Sequence, residues 1–303
     1  MANRLLSLGH KVTIIDNEST GLRQNVPSAA HYIKGDVGDP TALATAFAQK
    51  PDTVFHIAGQ ASTIRSFADP VDDLNVNIVG TVAVLQQCLA HRVPRLLYAS
   101  SMTAYGHPVT IPVPETNSCD PVSYYGITKY AAERYVHTTS NRLDLDFDFN
   151  VTSFRMFNVY GPGQRLDNPY QGVMGIFIGN VLRNEPIIIH GDGTQSRDFV
   201  HIDDVVDAWL TAWQSSQAYG QVFNLGIGRS VAINDLVDTV LATFGHTRES
   251  YPVRYEPLRP GDQKHMTADI GKARQILGWQ PQVGFAAGVA QTADWARTML
   301  KAN

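Results

Sequence analysis

The sequence predicts an α/β fold, in which a doubly wound parallel sheet is followed by a smaller C-terminal α/β lobe. Short runs rich in β-branched residues alternate with stretches of helical periodicity. Strands that are apolar throughout indicate a parallel sheet covered by helices on both faces. The predicted strands are Lys11–Asp16, Thr53–Ile57, Arg95–Ala99, Val151–Phe154, Ile187–His190 and Val222–Leu225, and the predicted helices are Asp73–His91, Val122–Ser140, Val205–Gln214 and Asn234–Phe244.

Composition narrows the class of protein. The chain has 303 residues, 44% of them apolar and 17% charged, with a formal net charge of −4. Such a chain has enough apolar residues for a large core but lacks the basic face that nucleic-acid binding requires. No apolar run approaches the roughly 18 residues of a membrane span, and Met1–His10 lacks the pattern of a signal peptide. We therefore expect a soluble, cytoplasmic protein with neither a nucleic-acid nor a membrane partner.

Two further features concern metals and domains. Cys88 and Cys119 provide neither a disulfide framework nor the spacing of metal ligands, so no metal site is predicted. After Tyr160 the alternation of strands and helices loosens, and proline and glycine become frequent. We therefore predict a first domain over residues 1–160 and a smaller lobe over residues 161–303, with segments that return to the first domain.

The strongest candidate for a reactive site combines Ser101, Tyr125 and Lys129. Ser101 lies just past the predicted strand Arg95–Ala99, and parallel sheets bind ligands at the carboxyl ends of their strands. Tyr125 and Lys129 are four residues apart in a predicted helix and so lie on one face. A phenol has an ordinary pKa of about 10, and a nearby ammonium favours the phenolate. We therefore predict that Tyr125, with its pKa lowered by Lys129, takes a proton from a substrate hydroxyl held by Ser101.

A second set of candidates follows the early strands. Asp16 ends a strand, where a carboxylate can bind both hydroxyls of an adenosine ribose. The segment Gly35-Asp36-Val37 follows the next short strand and would flank the adenine. The segment His56-Ile57-Ala58-Gly59-Gln60 ends another strand with small residues, which let a cofactor approach the backbone. Each residue alone also suits a cap or a turn, but their shared position after successive strands favours a dinucleotide site.

Ordered motifs along the chain identify a family. The sequence resembles the extended short-chain dehydrogenases/reductases, specifically the nucleotide-sugar epimerase/dehydratase family, and within it the UDP-sugar 4-epimerases. The matching motifs are Asp16-Asn17, Gly35-Asp36, Asn77-x-x-Gly80-Thr81, Ser100-Ser101-x-x-x-Tyr105-Gly106, Tyr125-Gly-x-x-Lys129, Arg155-Met-Phe-Asn158-Val-Tyr-Gly161-Pro162, Gly191-Asp-Gly193-x-x-x-Arg197-Asp198-Phe199 and Arg259-Pro-Gly-Asp262. The resemblance implies a Rossmann-type domain that binds NAD and a C-terminal lobe that binds a nucleotide-diphosphate sugar.

The resemblance also implies roles for individual residues. It makes Tyr125 the acid/base, Ser101 the residue that holds the reacting hydroxyl, and Lys129 the residue that lowers the pKa of Tyr125 and binds the nicotinamide ribose. The residues implied to bind NAD are Asp16, Asn17, Asp36, Val37, Ala58, Gly59, Gln60, Asn77, Tyr125 and Lys129. Those implied to bind the substrate are Ser101, Asn158, Arg197, Arg259, Asp262 and Met266.

Several of these roles have a chemical reason. Arg197 and Arg259 would offer planar guanidinium groups to the diphosphate, near which Asn158 would also bind. Asp262 would contact the nucleotide ribose. Asp16 favours NAD over NADP, because its carboxylate would repel a 2′-phosphate.

The residues after Ser101 favour one reaction over another. The 4,6-dehydratases of the family carry two acids there, whereas this chain has Met102 and Thr103, which transfer no proton in that step. The implied reaction is therefore 4-epimerisation of UDP-glucose and UDP-galactose through a transient 4-keto sugar. Met266 is intermediate in bulk at a position that limits the sugar pocket, so UDP-glucuronate and UDP-N-acetylglucosamine stay open as substrates. A nucleotide-sugar reductase or decarboxylase, and an inactive relative that only binds the nucleotide sugar, stay open as functions.

The sequence departs from the family at its start. The family's first strand and its Gly-x-x-Gly-x-x-Gly turn are missing, and Met1–His10 matches the latter half of the helix that follows them. Because that turn holds the cofactor pyrophosphate, we expect the chain as written to bind NAD poorly and to be unstable. Two explanations stay open: a truncated start or a degenerate relative. The helix Val122–Ser140 belongs to a dimer interface in this family, so the resemblance also implies a homodimer.

Overall fold

The computed structural model describes residues 1–168, 172–258 and 264–301 of the chain. The chain forms two compact units, each assembled from three segments. The first unit comprises Met1–Ala104, Pro121–Arg155 and Ala212–Val222, and the second comprises Tyr105–Asp120, Met156–Thr211 and Phe223–Asn303. The division at residue 160 that the sequence suggests stays a prediction.

The strands are short and mostly pair in parallel. They are β1 (Thr13–Asp16), β2 (His31–Lys34), β3 (Thr53–His56), β4 (Arg95–Ser101), β5 (Asn150–Met156), β6 (Asn158–Tyr160), β7 (Ile187–His190), β8 (Ser196–Arg197), β9 (Phe199–His201), β10 (Gln221–Leu225), β11 (Val231–Ala232), β12 (Val253–Glu256) and β13 (His265–Met266). Parallel pairs join β1 to β2, β3 to β4, β6 to β9, β7 to β12 and β8 to β13. The predicted α/β fold with a parallel sheet is confirmed.

The helices follow the strands as the alternating pattern predicts. They are α1 (Ala2–Ser7), α2 (Pro40–Phe47), α3 (Thr63–Ala68), α4 (Pro70–Leu74), α5 (Gly80–Ala90), α6 (Tyr124–Ser140), α7 (Val173–Leu182), α8 (Ile202–Gln214), α9 (Ile233–Thr243), α10 (Gly271–Leu277) and α11 (Phe285–Lys301). The predicted helix Asp73–His91 is in fact divided, because a π-helical turn, Asn75–Val79, separates α4 from α5. An extra residue in such a turn changes which side chains face the core, and π turns often occur at functional sites.

In the first unit, β5, β4 and β3 lie side by side in that order. All seven residues of β4 are buried, as in a sheet covered on both faces, and its middle from Leu96 to Ala99 is apolar. Leu96, Tyr98 and Val151 of the sheet pack with Val84 of α5 and Val136 of α6 in one core. Helix α6 therefore lies on the sheet beside the carboxyl end of β4, where Ser101 stands.

The second unit has its own core and several small sheets. The order β11, β8, β13 forms one sheet, while β7 with β12 and β6 with β9 form two others. Phe177 of α7, Leu236 of α9 and Val289 of α11 pack against Ile187 and Phe199 of the strands. Asn158, Arg197 and Met266, three of the residues that the sequence analysis assigns to the substrate, lie in the short strands β6, β8 and β13 of this unit.

The residues that the structure describes contain neither a membrane-spanning helix nor a metal-binding group of side chains. None of the helices there combines the length and the apolar character that crossing a membrane requires. The same residues contain no group of three or more histidine, cysteine, aspartate or glutamate side chains able to hold a metal ion.

Candidate active site

Ser101 is the last residue of β4, and its side chain is buried. The Thr103 hydroxyl donates a hydrogen bond to Ser101 Oγ at 2.9 Å, and the Thr103 backbone N–H donates to the same oxygen at 3.2 Å. Ser101 in turn shares a hydrogen bond with the Tyr125 side chain. Since Thr103 supplies protons to Ser101 Oγ, the Ser101 hydroxyl is left to donate its own proton to the Tyr125 phenol oxygen.

The start of α6 explains why Tyr125 reaches Ser101. Ser123 caps the helix by accepting a hydrogen bond from the Gly126 N–H at 3.1 Å. A Cβ atom at Gly126 would lie 2.7 Å from the Thr103 backbone oxygen. Only glycine therefore lets the first turn of α6 pack so closely on the segment after Ser101.

Burial dominates the pKa of Tyr125. Burial raises the pKa of Tyr125 above the ordinary 10.0, the Asp73 charge raises it further, and the hydrogen bond with Ser101 lowers it in part. The net shift is upward because the cost of burying a phenolate outweighs the hydrogen bond with Ser101, and the lowering of this pKa by Lys129 that the sequence suggests stays a prediction.

Lys129 lies one turn after Tyr125 and is almost fully buried. Its ammonium nitrogen lies over the Tyr98 ring, 4.6 Å from the ring centre. Burial lowers the pKa of Lys129 to about 8, while the negative charges of Asp73 and Glu133 raise it in part. Two buried carboxylates thus act on one buried ammonium.

Asp73, in α4, is the centre of a buried polar network. Its Oδ1 accepts hydrogen bonds from Gln60 Nε2 at 2.6 Å and from Asn77 Nδ2 at 3.0 Å. Its Oδ2 accepts one from the Thr128 hydroxyl at 2.7 Å. Burial raises the pKa of Asp73, and these side-chain hydrogen bonds and Lys129 lower it in part. The network holds the π turn, through Asn77, against the helix that carries Lys129.

A second buried carboxylate, Glu133, ties α6 to two strands. Glu133 Oε2 accepts hydrogen bonds from the Ser100 hydroxyl at 2.6 Å and from Arg155 Nε at 3.0 Å. Arg155 Nη2 donates to the other oxygen at 2.6 Å, so that the ion pair is bidentate. Because Ser100 precedes Ser101, this bridge fixes the position of α6 along β4.

The first residues implied to bind a dinucleotide lie at the ends of β1 and β2. Asn17 Nδ2 donates to Asp36 Oδ2 at 2.7 Å, which joins the two strand ends. A Cβ atom at Gly21 would lie 3.0 Å from Asp16 Oδ2, so the chain passes closely over that carboxylate. Val37 is buried in the core and contributes packing.

Ala58, Gly59 and Gln60 follow β3 and lie beside the buried network. Gln60 belongs to the network itself, and Ala58 packs against the core. A Cβ atom at Gly59 would lie 2.9 Å from Asn77 Oδ1 and 3.5 Å from Lys129 Nζ. The structure thus brings Ser101, Tyr125, Lys129, Asn77 and the segment after β3 into one site.

Three of the residues assigned to the substrate lie together in the second unit. Met266 and Arg197 are register partners in the β8–β13 pair, and both are buried. Asn158 donates to the Asp198 carbonyl oxygen from its backbone N–H at 2.9 Å and from Nδ2 at 3.3 Å. Arg259 and Asp262 lie outside the described residues.

Asp198 connects the segments that carry these residues. Its buried carboxylate accepts hydrogen bonds from the backbone N–H groups of Ile227 at 2.6 Å, Gly228 at 3.0 Å and Ala268 at 3.1 Å. Burial raises the pKa of Asp198 to about 6, and these hydrogen bonds lower it in part.

Comparison with known proteins agrees with this arrangement of residues. The model of the NAD dependent epimerase/dehydratase family matches residues 1–226. The UDP-glucose 4-epimerase of Mycolicibacterium smegmatis is 36% identical over 307 residues, which cover 98% of this chain and 94% of that protein. The chain belongs to the NAD-dependent epimerase/dehydratase family. It is an NAD-dependent epimerase.

Solved structures of relatives extend the comparison to the fold. The UDP-glucose 4-epimerase of Thermotoga maritima, solved with UDP-glucose, has a TM-score of 0.92 and 34% identity, and the match covers 99% of this chain and 94% of that one. The UDP-glucose 4-epimerase of Thermus thermophilus, solved with NAD, has a TM-score of 0.89 and 31% identity, with 98% and 94% covered. The Rossmann-type fold and the NAD cofactor that the sequence predicts are thus confirmed for this epimerase.

The epimerase's own residues fit NAD. Asn77 is 1% exposed, and its Oδ1 has no hydrogen-bond partner among the described residues. Such an atom is costly to bury unless a ligand donates to it. Gly59, which has no room for a side chain, leaves the space beside Asn77 Oδ1 and the Lys129 ammonium open to a ligand.

The sequence analysis missed Asp73, Thr128 and Glu133. Asp73 and Thr128 gave no signal, because an aspartate early in a helix and a threonine within one both suit a solvent-facing position. Glu133 did give a signal, since it follows Tyr125 and Lys129 at a further interval of four residues and so extends the same helix face.

Proposed function

We propose that this NAD-dependent epimerase interconverts UDP-glucose and UDP-galactose by inverting the sugar at C4. The observation that carries the proposal is the contact of Tyr125 with Ser101 one turn before a buried Lys129, beside a glycine-lined space. The relatives from Mycolicibacterium smegmatis and Thermotoga maritima are UDP-glucose 4-epimerases, which supports this choice of substrate. Met102 and Thr103 follow Ser101, and neither is an acid, which favours epimerisation over dehydration.

In this proposal the side chains of the first unit move one proton and fix its donor. Ser101 holds the sugar 4-hydroxyl, and the Tyr125 phenol oxygen receives the proton and later returns it. Lys129 keeps a positive charge beside the reacting oxygen and binds the cofactor ribose. Bound NAD supplies the capacity to accept a hydride from C4 and to give it back, so the net redox change is zero.

Cofactor and substrate are held by the other assigned residues. Asp16, with Asn17 and Asp36, would bind the adenosine end of NAD, and Asn77 Oδ1 would accept a hydrogen bond from it. In the second unit, Arg197 and Asn158 would bind the diphosphate of the sugar nucleotide. Arg259 and Asp262 carry the same assignment by resemblance alone, and Met266 would border the sugar.

The test compares two neighbouring tyrosines. Purified protein with NAD in excess and UDP-galactose should form UDP-glucose, measured by chromatography of the nucleotide sugars. Tyr125→Phe should lower kcat by 10²-fold or more, on the order of what positioned acid/base groups contribute. Tyr124→Phe is the matched control, because Tyr124 is exposed, and it should leave kcat unchanged. Full activity of Tyr125→Phe would contradict the proposal.

Parallel assays separate the competing substrates and functions. Conversion of UDP-N-acetylglucosamine or UDP-glucuronate in place of UDP-galactose would keep the epimerase and replace the substrate. Release of carbon dioxide or net consumption of the reduced cofactor would indicate a decarboxylase or a reductase. Calorimetric binding of UDP-glucose without conversion of any UDP-sugar would indicate an inactive relative.

We also propose that the protein is a homodimer through α6. Tyr124, Ile127 and Tyr135 of α6 are exposed apolar side chains, and Phe67 of α3, also exposed, packs against Tyr124 with ring centres 5.3 Å apart. A contiguous apolar patch of this kind is typical of protein interfaces. Light scattering should give twice the chain mass, and Ile127→Arg should halve it. The control Leu143→Arg changes an exposed leucine outside the patch and should leave the dimer intact.

A further inference from the structure

Four ionisable side chains are buried together around the site of the first unit. They are Asp73, Lys129, Glu133 and Arg155, and none is more than 6% exposed. Two are acids and two are bases, so the cluster has no net charge when all four side chains are ionised. An uncompensated buried charge is expensive, and a buried group that lacks a partner tends to lose its charge instead.

Glu133 and Arg155 neutralise each other. Their bidentate ion pair uses both carboxylate oxygens, at 2.6 and 3.0 Å, and a serine hydroxyl completes it. This leaves Lys129 and Asp73 as the two charges to be matched. Glu133 acts on Lys129 as well, but its charge is already opposed by the guanidinium of Arg155.

The hydrogen-bond donors around Asp73 are all neutral. Gln60, Asn77 and Thr128 contribute amide and hydroxyl groups, which satisfy the carboxylate oxygens without cancelling their charge. Thr128 immediately precedes Lys129 in α6, so the same contact that holds Asp73 also fixes its position relative to the lysine. The Lys129 ammonium lies beside these donors: a Cβ atom at Gly59 would be 3.5 Å from Lys129 Nζ and 2.9 Å from the Oδ1 of Asn77, whose Nδ2 donates to Asp73. Asp73 and Lys129 are therefore close without forming a direct ion pair, and the charge of Lys129 acts on Asp73.

We propose that Asp73 is the buried counter-ion of Lys129, a positioning residue that keeps the ammonium charged for the reaction proposed above. The assignment of Lys129 to catalysis rests on the proposed function, whereas the pairing of the two charges does not. Among the described residues Asp73 forms no hydrogen bond with Tyr125 or Ser101, and its charge acts on Lys129 and also on the Tyr125 phenol.

The groups around Lys129 determine whether its pKa rises or falls when the Asp73 charge is removed. Burial lowers the pKa of Lys129 to about 8, and Asp73 is the first charge that opposes this. The Tyr98 ring faces the ammonium, and Tyr125 lies one turn before it on α6. His56 faces it from β3 as a neutral ring, because burial and Lys129 lower the pKa of His56 to about 3. Removal of the Asp73 charge must therefore lower the pKa of Lys129 further.

The substitution Asp73→Asn removes the charge and keeps the hydrogen bonds. The amide oxygen can accept from Gln60 and Asn77 as Oδ1 does now, and the amide nitrogen can donate to Thr128 Oγ1. The Thr128 hydroxyl can then donate to the Tyr125 carbonyl oxygen, 3.1 Å away. The matched control is Asp72→Asn, which removes the adjacent carboxylate, a partly exposed residue paired with Arg65 at 2.9 Å.

The first experiment measures the titration of Lys129 in the full chain without any added ligand. The chain has seven lysines, so carbon-13 labelling of lysine gives a simple NMR spectrum, and Lys129→Met assigns the signal. We expect the midpoint of Lys129 to fall by about one unit or more in Asp73→Asn, as for loss of a nearby opposite charge. Asp72→Asn should leave it unchanged. An unchanged or higher midpoint in Asp73→Asn, or an equal fall in Asp72→Asn, would overturn the proposal.

A double-mutant cycle tests the pairing through stability, and if Asp73→Asn alone unfolds, the added Lys129→Met should restore folding. The pair of charges predicts that Asp73→Asn combined with Lys129→Met is more stable in urea than the sum of the two single losses implies. Additive losses would refute the pairing. In the active enzyme, the alkaline limb of kcat against pH should move down with the Lys129 midpoint while KM stays constant. If the wild type converts no UDP-sugar, the proposed function fails, but the lysine titration still decides the pairing.

Discussion

Removal of the Glu133 carboxylate should lower the free energy of unfolding more than Gly126→Ala, another change in the first unit. Glu133→Gln keeps the size of the side chain but deletes the charge that faces Arg155. The ion pair is buried on both sides, with side-chain exposures of 7% and 3%, so solvent does not screen the loss. The variant removes the counter-ion of a buried guanidinium.

The contacts set the expected magnitude. Two charge-assisted hydrogen bonds to Arg155, at 2.6 and 3.0 Å, are weakened, and the Ser100 hydroxyl at 2.6 Å loses a charged acceptor. Breaking a buried pair by removal of one partner typically costs about 3–5 kcal/mol in the free energy of unfolding. Replacement of both partners by apolar side chains is often neutral, because neither charge is then buried. We therefore expect Glu133→Met with Arg155→Met to recover most of what either single variant loses.

Urea unfolding followed by circular dichroism measures these differences. The control is Glu115→Gln, which removes a carboxylate of the second unit, where Glu115 Oε1 accepts from the Asn224 backbone N–H at 2.8 Å. The amide oxygen can still accept from this N–H, so the change should cost no more than about 1.5 kcal/mol, the net contribution of a typical hydrogen bond. Glu133→Gln within about 0.5 kcal/mol of wild type, or a double variant less stable than both singles, would refute the reasoning.

Three further changes test other parts of the structure. Gly126→Ala places a Cβ atom 2.7 Å from the Thr103 backbone oxygen, so it should lower the free energy of unfolding by about 1–3 kcal/mol and remove most of kcat. The control Gly284→Ala has open space at its Cβ and should change neither urea unfolding nor activity. Burial and the nearby Lys129 ammonium lower the pKa of His56 to about 3, whereas in the unfolded chain it is about 6.5. As pH falls below about 6.5, the unfolded chain therefore binds a proton that the folded chain does not, and the free energy of unfolding should fall by about 1.4 kcal/mol per pH unit. His56→Gln should reduce this slope when unfolding by urea is measured at several pH values. In Asp198→Asn the amide NH2 group faces at least one of the three backbone N–H groups that now donate to the carboxylate, and two donors cannot form a hydrogen bond. The change should lower the free energy of unfolding by about 2 kcal/mol and weaken UDP binding measured by calorimetry.

The residues of the reactive site were predictable from two sequence patterns, the apolar run of a buried strand and the four-residue spacing of a helix face. Strand β4 is apolar from Leu96 to Ala99 and then continues with Ser100 and Ser101, so the change from apolar to polar residues marks the carboxyl end of the strand. Tyr125 and Lys129 share a face of α6 at an interval of four residues, and helical geometry brings that face to the sheet. The structure begins α6 at Tyr124, two residues after the predicted start, because Ser123 is the cap.

The rest was hidden for physical reasons. The π turn Asn75–Val79 has the same residue types as an ordinary helix, and only its hydrogen-bond register differs. Strands of two or three residues, such as β8 (Ser196–Arg197) and β9 (Phe199–His201), are too short to show a period of two. The partners of Asp73 come from three separate segments, and one chain read in order gives no information about such pairings.

The direction in which the pKa of Tyr125 moves has a consequence for how the site works. Asp73 holds Lys129 charged, yet the same charge raises the pKa of Tyr125. A phenolate at Tyr125 would add a third anion to a cluster in which Asp73 and Glu133 already balance Lys129 and Arg155. Burial and the Asp73 charge therefore both favour the protonated phenol of Tyr125. Since Asp73 contributes to both effects, Asp73→Asn should make the Tyr125 phenol easier to ionise while it makes Lys129 easier to neutralise. An ultraviolet titration of Tyr125, referenced to Tyr125→Phe, should then show a lower midpoint in Asp73→Asn, and an unchanged midpoint would mean that the two groups do not share this carboxylate.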